Sequence, residues 1–398
     1  MTASPHPHSV CSSEIGTLPA LAPVVAAVFL GFLAVGVPLA AIPIAVGERL
    51  GYGAATVGAV IGLQSLATLL TRHQSGTLSD RRGARNAVLL GCPVAAGSGL
   101  LYTAAGLLPL APSGVLALLG LGRLLMGLGE SLFLTGLMSW GISRVGAART
   151  GKVMSWVGIA IYAALGLGAP LGLALQSAGG MVGVGAVAAL APLVAYAIAL
   201  RLPPVPATGG QRVPFHHVLG LIWRPGLVLA LATVPFATMA AFLVLAYAAH
   251  GWVQAGTALF GFGAAYVLVR LVASGLPDRL GAVRVAAGSL TFEALGQALI
   301  WSAPAPDVAA LGATLTGLGF SLVFPAMGVL ATRAVPPEQR GRAVGNFIAF
   351  ADIALAVTGP MVGLATAWFG VSAAFLVGAL ATVLALGLLP ALGRAGAR

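Results

Sequence analysis

Apolar stretches of about a span's length follow one another along the chain, separated by short polar interruptions, and within each stretch the apolar residues are continuous rather than alternating. A helix needs about 20 such residues to cross about 30 Å of hydrocarbon. Continuous runs exclude the alternating strands of a membrane barrel. This window predicts twelve spans, near 20–46, 53–76, 86–108, 113–142, 152–174 and 181–200, then 225–249, 254–276, 284–303, 307–332, 342–366 and 371–392. The stretch 202–224 is the most polar interior segment, rich in proline and glycine, and reads as a linker. The expected organisation is a tail (1–19), a six-helix bundle (20–201), the linker (202–224), a second six-helix bundle (225–392) and a short tail (393–398), with both tails and the linker cytoplasmic.

Composition agrees with the pattern. Of 398 residues, 59% are hydrophobic and only 7% are Asp, Glu, Lys or Arg, against about 25% charged in soluble domains. So few charges cannot cover a soluble surface, which excludes a soluble enzyme, a nucleic-acid binder and a disordered chain. The net charge of +11 is explained by its placement. Sixteen basic residues fall in six segments that alternate with nearly chargeless ones, from Arg81, Arg82 and Arg85 to Arg394 and Arg398. That is the positive-inside distribution of a multi-pass protein. The first twenty residues lack Lys and Arg, so they do not read as a removable signal peptide. Cys11 and Cys92 have no metal-ligand companions, and His216 and His217 read as an interfacial turn, so no metal or cofactor is expected.

The two halves repeat each other. A shift of 198 carries Arg72, Asp80, Arg81 and Gly83 onto Arg270, Asp278, Arg279 and Gly281. A shift of 190 carries Gly122, Gly127, Gly129 and Ser131 onto Gly312, Gly317, Gly319 and Ser321, and Pro170 onto Pro360. Parallel repeats of six helices suit a carrier with a central site between two rocking bundles.

The strongest local signal is Gly76-Thr-Leu-Ser-Asp80-Arg81-Arg82-Gly83-Ala-Arg85, with a second copy at Gly275-Leu-Pro-Asp278-Arg279-Leu-Gly281. Glycines permit a tight reversal at the membrane surface, Asp80 can meet a helix dipole, and the arginines can bond carboxylates and lipid phosphates. The fourth span, Gly122-Arg123-Leu-Leu-Met-Gly127-Leu-Gly129-Glu130-Ser131, places two charges on nearly one helical face, where each costs about 3 kcal/mol on insertion scales. Its twin keeps the small residues but has Ala313 and Phe320 at the charged positions, so packing does not require the charges. Asp352 and Glu293 are two further acids within spans, with Gln297 a candidate neighbour for Glu293. Gln64, Trp140, Trp156, Tyr162, Tyr247 and Asn346 are the groups expected to reach a central cavity. Gly168, Pro170 and Pro360 are candidate hinge positions, because proline frees a backbone carbonyl and kinks a helix. Arg72 and Arg270 lie near helix ends and can snorkel, which is a structural role.

The loop signature, twelve spans and two halves resemble the major facilitator superfamily over about residues 20–392. The stretch from Arg123 to Gly172, with Ala67-Thr-Leu-Leu-Thr-Arg72, resembles the YhhS/YfcJ group of bacterial efflux permeases. The resemblance implies an all-α fold of two pseudo-symmetric six-helix bundles in the bacterial inner membrane. It implies that the loop latches the bundles on the cytoplasmic side, and that Arg123 and Glu130 serve proton coupling or substrate contact. The expected partners are the lipid bilayer, protons and a small-molecule substrate, with no nucleic acid and a monomeric state. The function implied is proton-coupled efflux of a small organic molecule by alternating access. The alternative is a proton symporter or facilitator for uptake of a sugar or organic acid. No ATP-binding loop and no nucleophile–base motif points to a pump or an enzyme.

Overall fold

The structure, a computed structural model, describes residues 17–146, 149–204, 215–335 and 340–395. The ends of the chain, with Cys11, the centre of the linker and the side chains of His216 and His217 lie outside the described residues. Where no water can satisfy a backbone amide, a helix is the economical fold, since it bonds every interior amide within its own segment. Twelve long helices result among the described residues: α1 (Thr17–Ile44, extended by a π-helical turn Ala45–Arg49), α2 (Ala54–Arg82), α3 (Ala84–Leu107), α4 (Pro112–Val145), α5 (Thr150–Gly179), α6 (Met181–Arg201), α7 (Phe215–Ala249), α8 (Ala255–Ala273), α9 (Ala282–Trp301), α10 (Pro306–Arg333), α11 (Arg340–Phe369) and α12 (Ala373–Ala395). A one-turn helix, Leu276–Leu280, joins α8 to α9.

Eleven of the twelve are long and apolar enough to span a bilayer by themselves. The exception is α9, diluted by Arg284, Glu293 and Gln297. Its polar pair is fully buried against protein, so α9 keeps its place through its neighbours α10 and α12. α7 begins at Phe215, within the stretch the sequence assigns to the linker, and Pro225 lies inside the helix rather than at its start.

Successive helices run up and down, which brings the ends near Arg82, Arg144, Arg201, Arg284 and Arg333 to one face, the basic face. In the first bundle α3 packs on α4 and α6, and α1 on α5 and α6; in the second, α9 packs on α10 and α12, and α7 on α11 and α12. The repeat survives in three dimensions. Gly83 (φ 89°) and Gly281 (φ 91°) turn the chain through the same left-handed conformation at equivalent loops, which a side chain would strain. Gly127 lies on the backbone of Gln64, and its twin Gly317 lies on Phe262. Gly129 lies on Ala95, and Gly319 on Ser289 and Glu293.

Two seams join the bundles: α2 along α11, and α5 along α8, with α1 and α7 meeting between them. In the half of the first seam away from the basic face, Gly58 lies against the Gly359 carbonyl, Gly62 against Ala356 and Pro360, and Gly363 against Ala54 and Ala55. A Cβ at any of these glycines would collide with the partner helix. The second seam is built alike, with Gly256 on Pro170 and Gly166 on Gly263. Pro170 and Pro360 therefore both sit in seams, while Gly168 packs on Gly36 within the first bundle.

Candidate functional site

The first seam carries the charges. Arg72 of α2 and Asp352 of α11 form an ion pair of 2.5 Å across the two bundles, and it is the one ion pair among the described residues. Their side chains are 21% and 10% exposed. Around them α2 and α4 are tied together inside the first bundle. Gln64 Nε2 donates to Glu130 Oε2 at 2.6 Å, and Thr68 Oγ1 to the Gly127 carbonyl at 3.0 Å. Arg123 Nη2 donates to the Ile61 carbonyl at 3.2 Å, and the hydroxyls of Ser75 and Ser131 are 2.8 Å apart. Glu130 lies within electrostatic reach of Asp352, Arg72 and Arg123.

Arg123 and Glu130, on nearly one helical face, form no ion pair with each other. Seven residues put the two about 10 Å apart along the axis, although on nearly one face. The Arg123 guanidinium is instead buried between α2 and α3 beside Tyr102, with Nε and Nη1 lacking a hydrogen-bond partner among the described residues. Glu130 turns to Gln64.

The second seam carries aromatic rings. Tyr162 of α5 meets Tyr266 of α8 at 3.8 Å between centroids, and stands edge-on to Phe236, Phe262 and Phe320 at 5.7, 6.1 and 5.6 Å. Phe236 and Phe262 stack at 5.4 Å. Arg270 donates to the Ser321 carbonyl at 2.8 Å and sits over the Tyr266 ring at 5.5 Å, while Gly158 of α5 packs against its guanidinium. A cavity of about 20 Å³ beside Phe236 and Phe262, lined also by Gly36, Leu39, Ala40 and Gly166, has room for about one water.

The remaining acid, Glu293, is fully buried, and neither oxygen has a hydrogen-bond partner among the described residues. Gln297 does not serve it. That amide accepts from Thr238 and donates to Thr316, each at 3.2 Å.

Other candidates lie elsewhere. Trp140 is fully buried near the basic end of α4, donating to the Pro203 carbonyl at 3.2 Å. Tyr247 anchors the far end of α7 by donating to the Pro306 carbonyl at 2.8 Å, with its ring against Trp252. Trp156 is half-buried against the core of the first bundle. Asn346 is half-buried and partnered on α11, six residues before Asp352. At the loop, Asp80, Arg81, Asp278 and Arg279 are exposed and form no ion pair among the described residues. Gly76 ends up half-buried, and Arg85 donates to the Leu200 carbonyl at 2.9 Å within its own bundle. The structure thus leaves the loop's expected inter-bundle contacts unmade among the described residues.

Arg72, expected to snorkel from its helix end, instead reaches across the seam to Asp352. A signal was present in the repeat itself. The shift that aligns Pro170 with Pro360 also aligns Tyr162 with Asp352, and the shift that aligns Arg72 with Arg270 aligns Gln64 with Phe262 and Thr68 with Tyr266. With Glu130 opposite Phe320, the first-seam cluster has Gln64, Thr68, Glu130 and Asp352 where the second has Phe262, Tyr266, Phe320 and Tyr162, while the arginine is shared.

A helical membrane protein of two repeated bundles, meeting along two seams with a buried ion pair at one of them, has the architecture of a secondary carrier. The chain belongs to the major facilitator superfamily, whose sequence profile matches residues 24–253 and 248–395. Within it, the chain is of the YhhS group. It is 40% identical over 358 residues to the uncharacterized MFS-type transporter YhhS of Escherichia coli K12, covering 90% of this chain and 88% of that one. It is 43% identical over 370 residues to an uncharacterized MFS-type transporter of Pseudomonas aeruginosa PAO1, covering 93% and 92%. Its fold is similar to the crystal structures of a D-xylose–proton symporter (TM-score 0.76, 16% identity, 95% of this chain and 97% of that one) and of the nucleoside transporter NupG (TM-score 0.70, 16% identity, 94% and 98%). The protein is thus a bacterial multi-pass membrane transporter, not an enzyme.

Proposed function

We propose that the protein exports a small organic molecule in exchange for protons, by alternating access, across the bacterial inner membrane. The moving bodies are the bundles 20–201 and 225–392, joined by the linker 202–224. The basic face and both termini are cytoplasmic, and the unit is a monomer. The observation that carries the reading is Glu130, a carboxylate in a membrane helix, held by Gln64 beside an ion pair that joins the bundles. A carboxylate there can release or take a proton only as the cavity changes hydration, which links its occupancy to the position of the bundles. Arg123 serves by keeping positive charge on the same helix, and Asp352 and Glu293 are further acids available to coupling. The aromatic cluster around Tyr162 supports a substrate with an apolar or planar body.

The test uses the full chain in proteoliposomes with an imposed proton gradient and a panel of metabolites and drugs. Accumulation on the side from which protons flow, abolished in Glu130→Gln while exchange without a gradient persists, is the expected result. Accumulation in the same direction as proton flow identifies the uptake alternative, a sugar or organic-acid symporter. Unchanged gradient-driven transport by Glu130→Gln moves coupling to Asp352.

A further inference from the structure

We propose that Arg72 and Asp352 form the lock that holds the bundles closed toward the basic face, the part the Gly76–Arg85 loop was expected to play. The two residues are 280 positions apart in sequence and belong to different bundles, so their pair of 2.5 Å is a contact that rocking must make and break. It lies on the basic side of the glycine contacts. Arg72 is fourteen residues, about 20 Å of helix, from Gly58, which lies against Gly359. Away from the basic face the first seam is closed by the contacts of Gly58, Gly62 and Gly363, and toward the basic face it carries the Arg72–Asp352 pair. Opening toward the basic face must therefore part Arg72 from Asp352, whereas opening toward the opposite face need not.

Three further observations fit a lock. The pair is mostly shielded from solvent, so its attraction is little screened in the closed state. Water entering from the basic face would hydrate both charges and weaken their attraction, so the lock yields as the gap opens. The loop itself stands outside the seam, with Asp80 and Arg81 exposed and Arg85 turned to Leu200 of its own bundle. Finally, the equivalent arginine of the second seam meets no acid among the described residues: Tyr162 stands where Asp352 stands in the first, and Arg270 bonds Ser321 within its own bundle. One seam is ionically locked and the other is not.

This proposal rests on the rocking of two bundles, not on the direction of transport or the coupling ion, and its readout needs neither substrate nor gradient. The reporter is Ala349→Cys, buried on α11 one turn from Asp352 toward the basic face, in the full chain with Cys11→Ser and Cys92→Ala. Labelling by a membrane-impermeant maleimide is followed in vesicles of both orientations. Asp352→Asn and Arg72→Gln should each label about tenfold faster from the basic face, the change that ~1.4 kcal/mol makes in a two-state population. Asp80→Asn should label at the parental rate. The exchange Arg72→Asp/Asp352→Arg, which keeps a pair across the same seam, should return labelling toward the parental rate. Parental labelling in both single variants overturns the lock. So does fast labelling that the exchange fails to slow, which would mark local misfolding, or equally fast labelling in Asp80→Asn, which would return the lock to the loop. Loss of proton-driven export in the transport assay, with these labelling results intact, would overturn the proposed function and leave the lock standing.

Discussion

The two bundles are built on one plan, and the seams between them are filled with opposite chemistry. Gly127 on Gln64 is matched by Gly317 on Phe262, and Gly129 on Ala95 by Gly319 on Glu293, so helix approach is the same in both halves. Upon that frame the first seam places Gln64, Thr68, Glu130 and Asp352 where the second places Phe262, Tyr266, Phe320 and Tyr162. Small residues set how near the helices come, because in lipid close packing rather than hydrophobic exclusion drives helix association. The residues pointing into the space left between the helices are then free to diverge. A repeat can thus keep its architecture while one copy specialises in charge and the other in aromatic surface. The shared arginine shows how far the surroundings decide a role: Arg72 reaches across the seam to an acid, while Arg270 stays at home over a tyrosine ring.

The comparison can be broken most forcefully at the ion pair. Arg72→Met leaves Asp352 buried without its cation and should cost about 3 kcal/mol of stability, read as a fall in melting temperature of the detergent-solubilised protein. Adding Asp352→Leu should recover most of that loss, since a buried pair replaced as a unit is often neutral. Equal losses in the single and double variants would mean that the pair contributes only packing.

A smaller effect tests whether the frame is symmetric. Gly58→Ala drives a methyl group into the Gly359 carbonyl, and Gly263→Ala drives one toward Gly166 and the Tyr162 carbonyl. Each should cost about 2 kcal/mol, as overpacking of a close contact does. A thermal scan in which only one of them is destabilised would show that the seams differ in packing as well as chemistry.

Glu293 sharpens the contrast further, since its equivalent in the first half is Ala95. Its two oxygens have no partner among the described residues, so Glu293→Leu should raise stability by about 1 kcal/mol by removing an unsatisfied buried group. If transport in proteoliposomes falls in the same variant, the acid is retained for function at a cost in stability.

The smallest change is expected at the loop. Asp80 is exposed, and Asp80→Asn should shift stability by less than about 0.5 kcal/mol, in contrast to Arg72 eight residues earlier. A shift in melting temperature comparable with that of Arg72→Met would show that the loop carries an inter-bundle load.

What the sequence determined alone follows from energies that are local and add up along the chain. Transfer of about twenty apolar residues into hydrocarbon picks out a span whatever its neighbours do. That is why all twelve spans are legible one by one, and why α9, diluted by Glu293 and Gln297, is the least apolar of them and the one that falls short of spanning by itself. The repeat, the charge distribution and the loop signature belong to the same class, being countable residue by residue. Partnership is of another kind. Arg123 and Glu130 share a helical face, yet the rise between them and the proximity of Ile61 and Gln64 decide that they bond α2 and not each other. Arg72 near a helix end looks like a snorkelling residue, and only the crossing of α2 with α11 brings Asp352 to it from 280 positions away. A buried charge takes whichever partner the packing delivers, because the penalty for having none is large and the direction of the nearest group is set by how helices cross. That geometry comes from glycines on both sides of a seam acting together, and no single stretch of the chain contains it.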